Sequence, residues 1–408
     1  MDAKAMKPKI LVLTKLFWPE GGGGELATYL IIRDIFSKHF DVTIISGTRN
    51  PEPDILKHTR YVHWSTLEAR YKPVELIKTF TGIDRIRSLV GEADIVYIPS
   101  HTLIPLTIAV KTINPRAKIV LHLHNYQLLT YTSIILAGKE PDVATDIIVE
   151  LGEHKSLLRA MLAGFGHYIN YINRFAALLA DKIIYVSRRQ YEIISKRIPE
   201  IRGKTEVMYN PPPLLPIINK RISEEPVLIY VGGDSYVKGF QVLLQALNKL
   251  GKRGVKARFI FTNKYSSGNL QILKQLSEKH GNLDIQVLGR MEHNKLTELH
   301  RNTWVLLFPS IWEEPLPYAI VESSLLSTIP IASKVGGIPE IVEGTVAERF
   351  LFEPGNVKKF IDRIESLISL SRDEIMDIGM KLKEKASKLF DKERVEREIT
   401  NSFMLILS

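Results

Sequence analysis

FPSIWEEPLPYAIVESSLLSTIPIASKVGGIPEIV, residues 308–342, is the stretch on which the reading of the whole chain turns. It is entered through an apolar run of strand length, Val305 to Phe308, followed by a loop that carries Glu313, Glu314 and Pro315. From about Pro317 the apolar spacing becomes helical, through Ile320, Val321, Ser324 and Leu325. Pro317 suits a first helical turn, where its missing N–H is no loss to the helix. Strand, loop, helix N-terminus is the expected local geometry.

Two carboxylates flank that turn, Glu314 in the loop and Glu322 in the helix, with seven residues between them. A helical run from 317 to 322 sets the second acid roughly 7 Å further along the axis, about the reach of a diphosphate. One acid then meets each end of an activated sugar, and the helix start between them offers amide donors and a positive dipole to phosphates. A carboxylate suits a vicinal diol because it accepts from two hydroxyls at once.

Glu314, Glu322, Gly336-Gly337 and Pro339-Glu340, with Pro309-Ser310 before them, resemble the C-terminal signature of the retaining glycosyltransferases of family 4. That resemblance implies an α/β chain of GT-B fold: two Rossmann-like domains facing each other across a cleft, with a C-terminal helix crossing back to the first. The implied division is 1–212 for an acceptor-side domain, 213–390 for a nucleotide-sugar-binding domain and 391–408 for the returning helix.

Composition agrees with such a chain. Its 408 residues suffice for two cores, and 45% apolar with 8% aromatic content is ordinary for a soluble α/β protein. The absence of cysteine excludes disulfides, thiolate catalysis and cysteine metal sites. The net charge of +10 comes from dispersed basic residues, for which a phosphate ligand and an anionic membrane face suffice, so no nucleic acid is expected. No apolar run reaches membrane-spanning length, and MDAKAMKPK lacks the apolar core of a secretory signal. The expected location is the cytoplasm, with peripheral attachment at the inner membrane face as its extension.

Further upstream, Lys9 to Leu13 reads as a strand, followed by a loop with Gly21, Gly22, Gly23 and Gly24, a helix through Leu26, Leu30 and Ile31, and a strand from Val42 to Ile45. This is the opening of a parallel doubly wound sheet. Glycines there let backbone amides approach a ligand, and the loop resembles the family's Pro-x-x-Gly-Gly loop facing the donor. The run Ile119 to Leu123 is a further strand. His122 and His124 alternate onto one face, with His124 at the C-terminal edge, where open α/β sheets bind ligands. His124 matches the family's strand-end histidine against the donor sugar, and His101 is a weaker candidate of the same kind.

Residues 126–180 exceed what a plain crossover needs. The stretch Leu157 to Leu179 has apolar residues at helical spacing (Leu158, Met161, Leu162, Phe165, Ile169, Ile172), which predicts a helix packed on the core. The other reading is contact with an amphiphilic acceptor or a membrane, with Arg188, Arg189, Lys196 and Arg197 close in sequence. After the strands Lys182 to Val186 and Val207 to Tyr209, the prolines of 210–216 mark an interdomain crossing.

The second half restarts at Val227 to Val231 with the loop Gly232 to Gly239. It is similar to the family's Gly-Arg-x-x-x-x-Lys-Gly, whose basic pair holds the donor diphosphate. Lys238 matches the lysine, Gly233 stands in the arginine's place, and Arg290 after the strand Ile285 to Leu288 is the expected substitute. The remaining strands are Arg258 to Thr262, Val305 to Phe308, Pro330 to Ala332 and Phe350 to Phe352, and a last helix aligns Val395, Ile399, Phe403 and Ile406.

The resemblance implies a retaining, metal-independent hexosyltransferase without cofactor, which moves sugar from a nucleotide-sugar donor to a glycan, a lipid-linked glycan or another acceptor. Glu314, Lys238 and His124 are the expected catalytic residues. Gly21 to Gly24, Gly232, Gly233, Arg290, Leu316, Pro317, Tyr318 and Glu322 are the expected donor contacts. Leu316-Pro317-Tyr318 replaces the family's Phe-Gly-Leu and removes one amide next to the phosphates. That departure, with Gly233, motivates the alternatives: a catalytically silent sugar-nucleotide binder, or an epimerase or phosphorylase on the same fold.

Overall fold

A computed structural model describes residues 7–69 and 71–408. The first sheet contains β1 (Lys9–Thr14), β2 (Asp41–Ser46), β3 (Arg60–His63), β4 (Ile95–Ile98), β5 (Lys118–Leu123), β6 (Lys182–Tyr185) and β7 (Thr205–Val207). The second contains β8 (Val227–Tyr230), β9 (Ala257–Thr262), β10 (Leu283–Gly289), β11 (Val305–Phe308), β12 (Ile329–Ser333) and β13 (Leu351–Phe352). Their orders are β3-β2-β1-β4-β5-β6-β7 and β10-β9-β8-β11-β12-β13, and the neighbouring strands are parallel throughout. These are two Rossmann-like domains with helices on both faces of each sheet.

The central strands read as unbroken apolar runs because both of their faces are covered. All four residues of β4 and of β11 are buried. In contrast, β3 is an edge strand with two exposed and two half-buried residues, RYVH, and no apolar run announces it. The strand expected at Val207 to Tyr209 is found two residues earlier, at Thr205–Val207. Residues 208–226 pass to the second sheet without helix or strand.

In each sheet the strand order reverses once, between β1 and β4 and between β8 and β11. At such a point successive crossovers leave to opposite faces, and a crevice opens beyond the carboxyl ends of the strands. The terminal helix, Lys392–Leu405, lies on the first domain: Val395, Ile399 and Phe403 are buried with Ile10, Val12 and Tyr97. Phe403 meets the Phe36 ring at 4.7 Å, and burying such side chains contributes about 1.5–3 kcal/mol each.

Residues 157–179 correct the expectation of one core-packed stripe. They form two helices, Leu157–Gly166 and Ile169–Leu179, and the large apolar residues face outward. The inward face is Ala160, Ala163, Gly164, Gly166, Ala176 and Ala177 with Asn170 and Asn173. Small residues allow close seating: a Cβ on Gly166 would lie 2.5 Å from the Tyr131 ring. The orientation is pinned by polar bonds, Asn170 Nδ2 to the Leu129 carbonyl at 3.2 Å and Asn173 Nδ2 to the Gln127 carbonyl at 3.1 Å. The buried Asp146 carboxylate adds His167 at 2.7 Å and the amides of Tyr131 and Thr132. Leaving those buried groups unpaired would be costly.

Candidate active site

Because β8 and β11 are parallel neighbours, the loops that follow them rise from the same edge and meet. Lys238 Nζ donates to Glu314 Oε1 at 2.7 Å, and Ser310 Oγ donates to the same oxygen at 2.9 Å. The ammonium also lies over the rings of Phe308 and Trp312, 5.6 and 5.4 Å from their centroids, where the π faces attract a cation. Glu314 is 3% exposed, so its charge persists there only with such partners.

Gly336 holds this loop in shape. It has φ +50°, and a Cβ on it would fall 1.6 Å from the Glu314 carbonyl oxygen. Its amide donates to Glu313 Oε2 at 2.7 Å, and the Gly337 amide donates to the Glu314 carbonyl at 3.0 Å. The two glycines of the signature thus serve as the bed on which the first acid rests.

Pro317 precedes the helix Tyr318–Leu325 as its cap residue and is not in the first turn. Its carbonyl accepts from the amides of Ile320 and Val321. A helix start leaves its first N–H groups without intrahelical partners, here facing the crevice. One turn further along, the buried Glu322 bonds His293 Nε2 at 2.8 Å, and that carboxylate raises the imidazole above its ordinary value. His293 opens the helix after β10, so the β10 connection brings an imidazole to the second acid. Arg290 is exposed and makes no ion pair among the described residues. Gly233 has φ +63°, and a Cβ there would be 2.9 Å from the Lys264 carbonyl. The backbone at this position disfavours any side chain, which accounts for the missing arginine.

The first domain supplies the opposite wall. Gly23 opens the helix Gly23–Ile31. A Cβ on Gly23 would lie 3.3 Å from the Tyr318 ring, and one on Gly24 3.3 Å from His124. Gly21 and Gly22 stand outside the lined space, with the Gly22 amide bonded to Glu25 at 2.8 Å. His124 lies beside His122 with centroids 4.3 Å apart and the rings tilted by 35°, on the same face as strand alternation requires, and His122 Nδ1 is 2.7 Å from the Tyr97 hydroxyl. Burial pushes the His124 imidazole down to about 4, so at neutral pH it is an uncharged hydrogen-bonding group. The His101 side chain lies outside the described residues.

Together these groups enclose about 320 Å³ lined by Gly23, Gly24, His124, Asn210, Gly232, Lys238, Trp312, Glu314 and the 315–319 segment, including Leu316, Pro317 and Tyr318. His124 Nε2, Asn210 Oδ1 and Trp312 Nε1 are buried there without a partner among the described residues. These three polar atoms are available to hydrogen-bond a ligand in the cavity.

Several contacts that local sequence does not announce hold the walls in register. Glu340 receives the amides of Arg188 and Arg189, at 3.1 and 2.9 Å, and the Tyr209 hydroxyl at 2.8 Å. Arg188 and Arg189 are therefore engaged at the domain junction, with Glu343 and Glu313 as ion-pair partners. Glu153, from the helix Val143–His154, accepts from Ser235 Oγ at 2.8 Å and the Val237 amide at 2.7 Å. It ties the Lys238 loop to the first domain. Tyr318 donates to the Pro211 carbonyl at 2.8 Å.

Residues 216–388 match the family described as glycosyl transferases group 1. Spore coat protein SA of Bacillus subtilis is 22% identical over 429 aligned positions, covering 98% of this chain and 99% of that protein. Among solved structures, Anabaena HepE in complex with UDP-glucose aligns at TM-score 0.66 with 17% identity, over 97% of this chain and 99% of that one. Sucrose-phosphate synthase from Thermosynechococcus elongatus aligns at TM-score 0.73 with 14% identity, over 98% and 99%. The sequence match over the second domain and these two alignments over nearly the whole chain agree on one architecture: the two domains together form a GT-B fold.

Proposed function

We propose that the protein is a retaining, metal-independent glycosyltransferase that moves a hexose from a nucleotide sugar to a glycan, a lipid-linked glycan or another hydroxyl acceptor. The observation that carries this reading is the Lys238–Glu314 pair at 2.7 Å inside a crevice whose far wall presents an unpartnered His124 Nε2. Breaking the bond between anomeric carbon and β-phosphate oxygen leaves charge on the departing diphosphate. Lys238 and the amides opening the Tyr318 helix stabilise that charge from fixed positions, the kind of preorganised electrostatics that lowers such barriers. Glu314 then receives hydroxyls of the transferred sugar, Glu322 those of the ribose, and neutral His124 bonds a sugar hydroxyl. The acceptor hydroxyl forms the new bond to the anomeric carbon and gives up its proton to the departing β-phosphate oxygen of the nucleoside diphosphate. The working location in this reading is the cytoplasm, at the inner membrane face.

Gly233, which withholds the second cation, favours one other reading: a sugar-nucleotide binder without turnover. A panel of radiolabelled nucleotide sugars, with glycan and lipid acceptors and with or without chelator, separates the two. Transfer that survives chelation, with the donor's anomeric configuration kept in the product, supports the enzyme. Tight donor binding with no turnover on any donor supports the silent protein.

A further inference from the structure

The helix pair Leu157–Gly166 and Ile169–Leu179 turns a continuous apolar surface to solvent: Leu158 is 69% and Phe165 75% exposed, with Met161, Tyr168, Tyr171 and Phe175 alongside. Contiguous patches of this kind mark interaction sites on soluble domains. The face is not a core stripe turned the wrong way, since Asn170, Asn173 and the Asp146–His167 bond lock the opposite side inward.

Charge selects the occupant. From Lys155 to Ala180 the chain has no Asp or Glu. Lys155 is exposed at the head of the pair, Arg174 lies over the Tyr171 ring at 5.5 Å, and Lys204 bonds the carbonyls of Leu178 and Ala180 at the tail. Arg159 alone is taken by a carboxylate, Glu150 at 3.1 Å. An apolar face rimmed by cations, on a segment with no acid of its own, complements an anionic bilayer, whereas a second copy would bring like charges together. Helices of ten and eleven residues are about 15 Å long, half the hydrocarbon thickness. Among the described residues no helix is long and apolar enough to cross a membrane. The pair is built to lie in the interface, with its tyrosines at headgroup depth.

We propose that the outer face of residues 157–179 docks the protein on an anionic lipid surface. The same unit reaches the crevice: Asp146 joins it to the loop that follows His124, and Glu153 on the preceding helix bonds the Lys238 loop. Docking therefore sets the cleft beside the bilayer and selects an amphiphilic acceptor, a consequence that rests on the transferase reading; the docking itself does not.

Co-sedimentation at low salt with vesicles of phosphatidylglycerol and phosphatidylcholine, against phosphatidylcholine alone, tests it. Binding is expected to the anionic vesicles, to fall with salt, and to weaken about tenfold or more in Leu158→Ser/Phe165→Ser, whose buried apolar area in lipid is lost. That variant keeps its circular dichroism and melting temperature because both side chains are exposed. No binding of the wild type, or undiminished binding of the variant, overturns the proposal. So does a wild-type dimer in sedimentation that the variant dissolves without any vesicle binding. Glu314→Gln separates the two readings: vesicle binding retained by this variant upholds docking whatever the outcome of the transfer assays.

Discussion

Glu314 is 3% exposed in the crevice and Phe165 is 75% exposed on the outer helix pair, so a charge is hidden in one region and a phenyl ring displayed in the other. Both reverse the usual sorting, but by different means. In the crevice the charge is held by Lys238 from a remote loop and by Ser310 four residues before it, on a bed made by Gly336 and Gly337. On the helix pair nothing holds the ring, and all the holding is done by small and polar residues on the other face. The crevice is overdetermined by the fold, while the outer face is free of any structural duty, and that difference makes the two regions respond oppositely to substitution.

The largest effect is expected from Lys238→Ala, which removes the cation beside the departing diphosphate. Turnover should fall about 10²–10³-fold, as for loss of one preorganised charge-stabilising group, and stability should drop because a buried carboxylate loses its counter-charge. Initial rates with any accepted donor check it, and an unchanged rate would remove Lys238 from the chemistry. Gly336→Ala puts a methyl group where the Glu314 carbonyl stands and should cost about 2–4 kcal/mol of stability, read from urea unfolding. A midpoint equal to that of the wild type would show that the bed is not rigid.

Glu322→Ala should weaken nucleotide affinity by about 1–3 kcal/mol, the worth of a charged acceptor, in calorimetric titration. Unaltered affinity would place Glu322 outside the site. A graded effect is expected with acid. Burial holds His124 down to about 4 and His300 to about 3, against 6.5 unfolded, and His122 is shifted the same way. Below 6.5 the unfolded chain takes up protons that the folded one refuses. The neutral imidazoles' contribution is therefore complete above 6.5 and lost as pH falls through that window towards 4. Melting temperature should decline across it, and a flat profile would mean that these histidines are open to water. The smallest effect is expected from Phe165→Ser, within about 0.5 kcal/mol in stability; a large loss would show that the displayed ring is part of the core after all.

Much of the architecture was legible because a parallel sheet covered on both faces writes each central strand as an unbroken apolar run, as in Ile95–Ile98 and Val305–Phe308. The edge strand Arg60–His63, half wet, writes no such run. In the site, Lys238, Glu314, His124 and Gly24 stood in recognisable motifs and line one cavity. His293 did not: a histidine four residues beyond a strand-end glycine has no signature until Glu322 is placed 2.8 Å away. Glu153 was equally silent, because it caps the Lys238 loop from another domain, 82 and 84 positions away from its partners.

The order of residues by itself determined two parallel αβ domains and the acids, lysine and histidine between them, because hydrophobic period and turn chemistry are local properties of a chain. Tertiary structure alone decided that Lys238 meets Glu314, that His293 and not Arg290 attends the second acid, and which way the 157–179 helices face. A periodic pattern shows that a helix has an apolar side but not where that side turns. The turn is set by the inward face, where small residues seat closely and the Asn170 and Asn173 amides donate to buried backbone carbonyls.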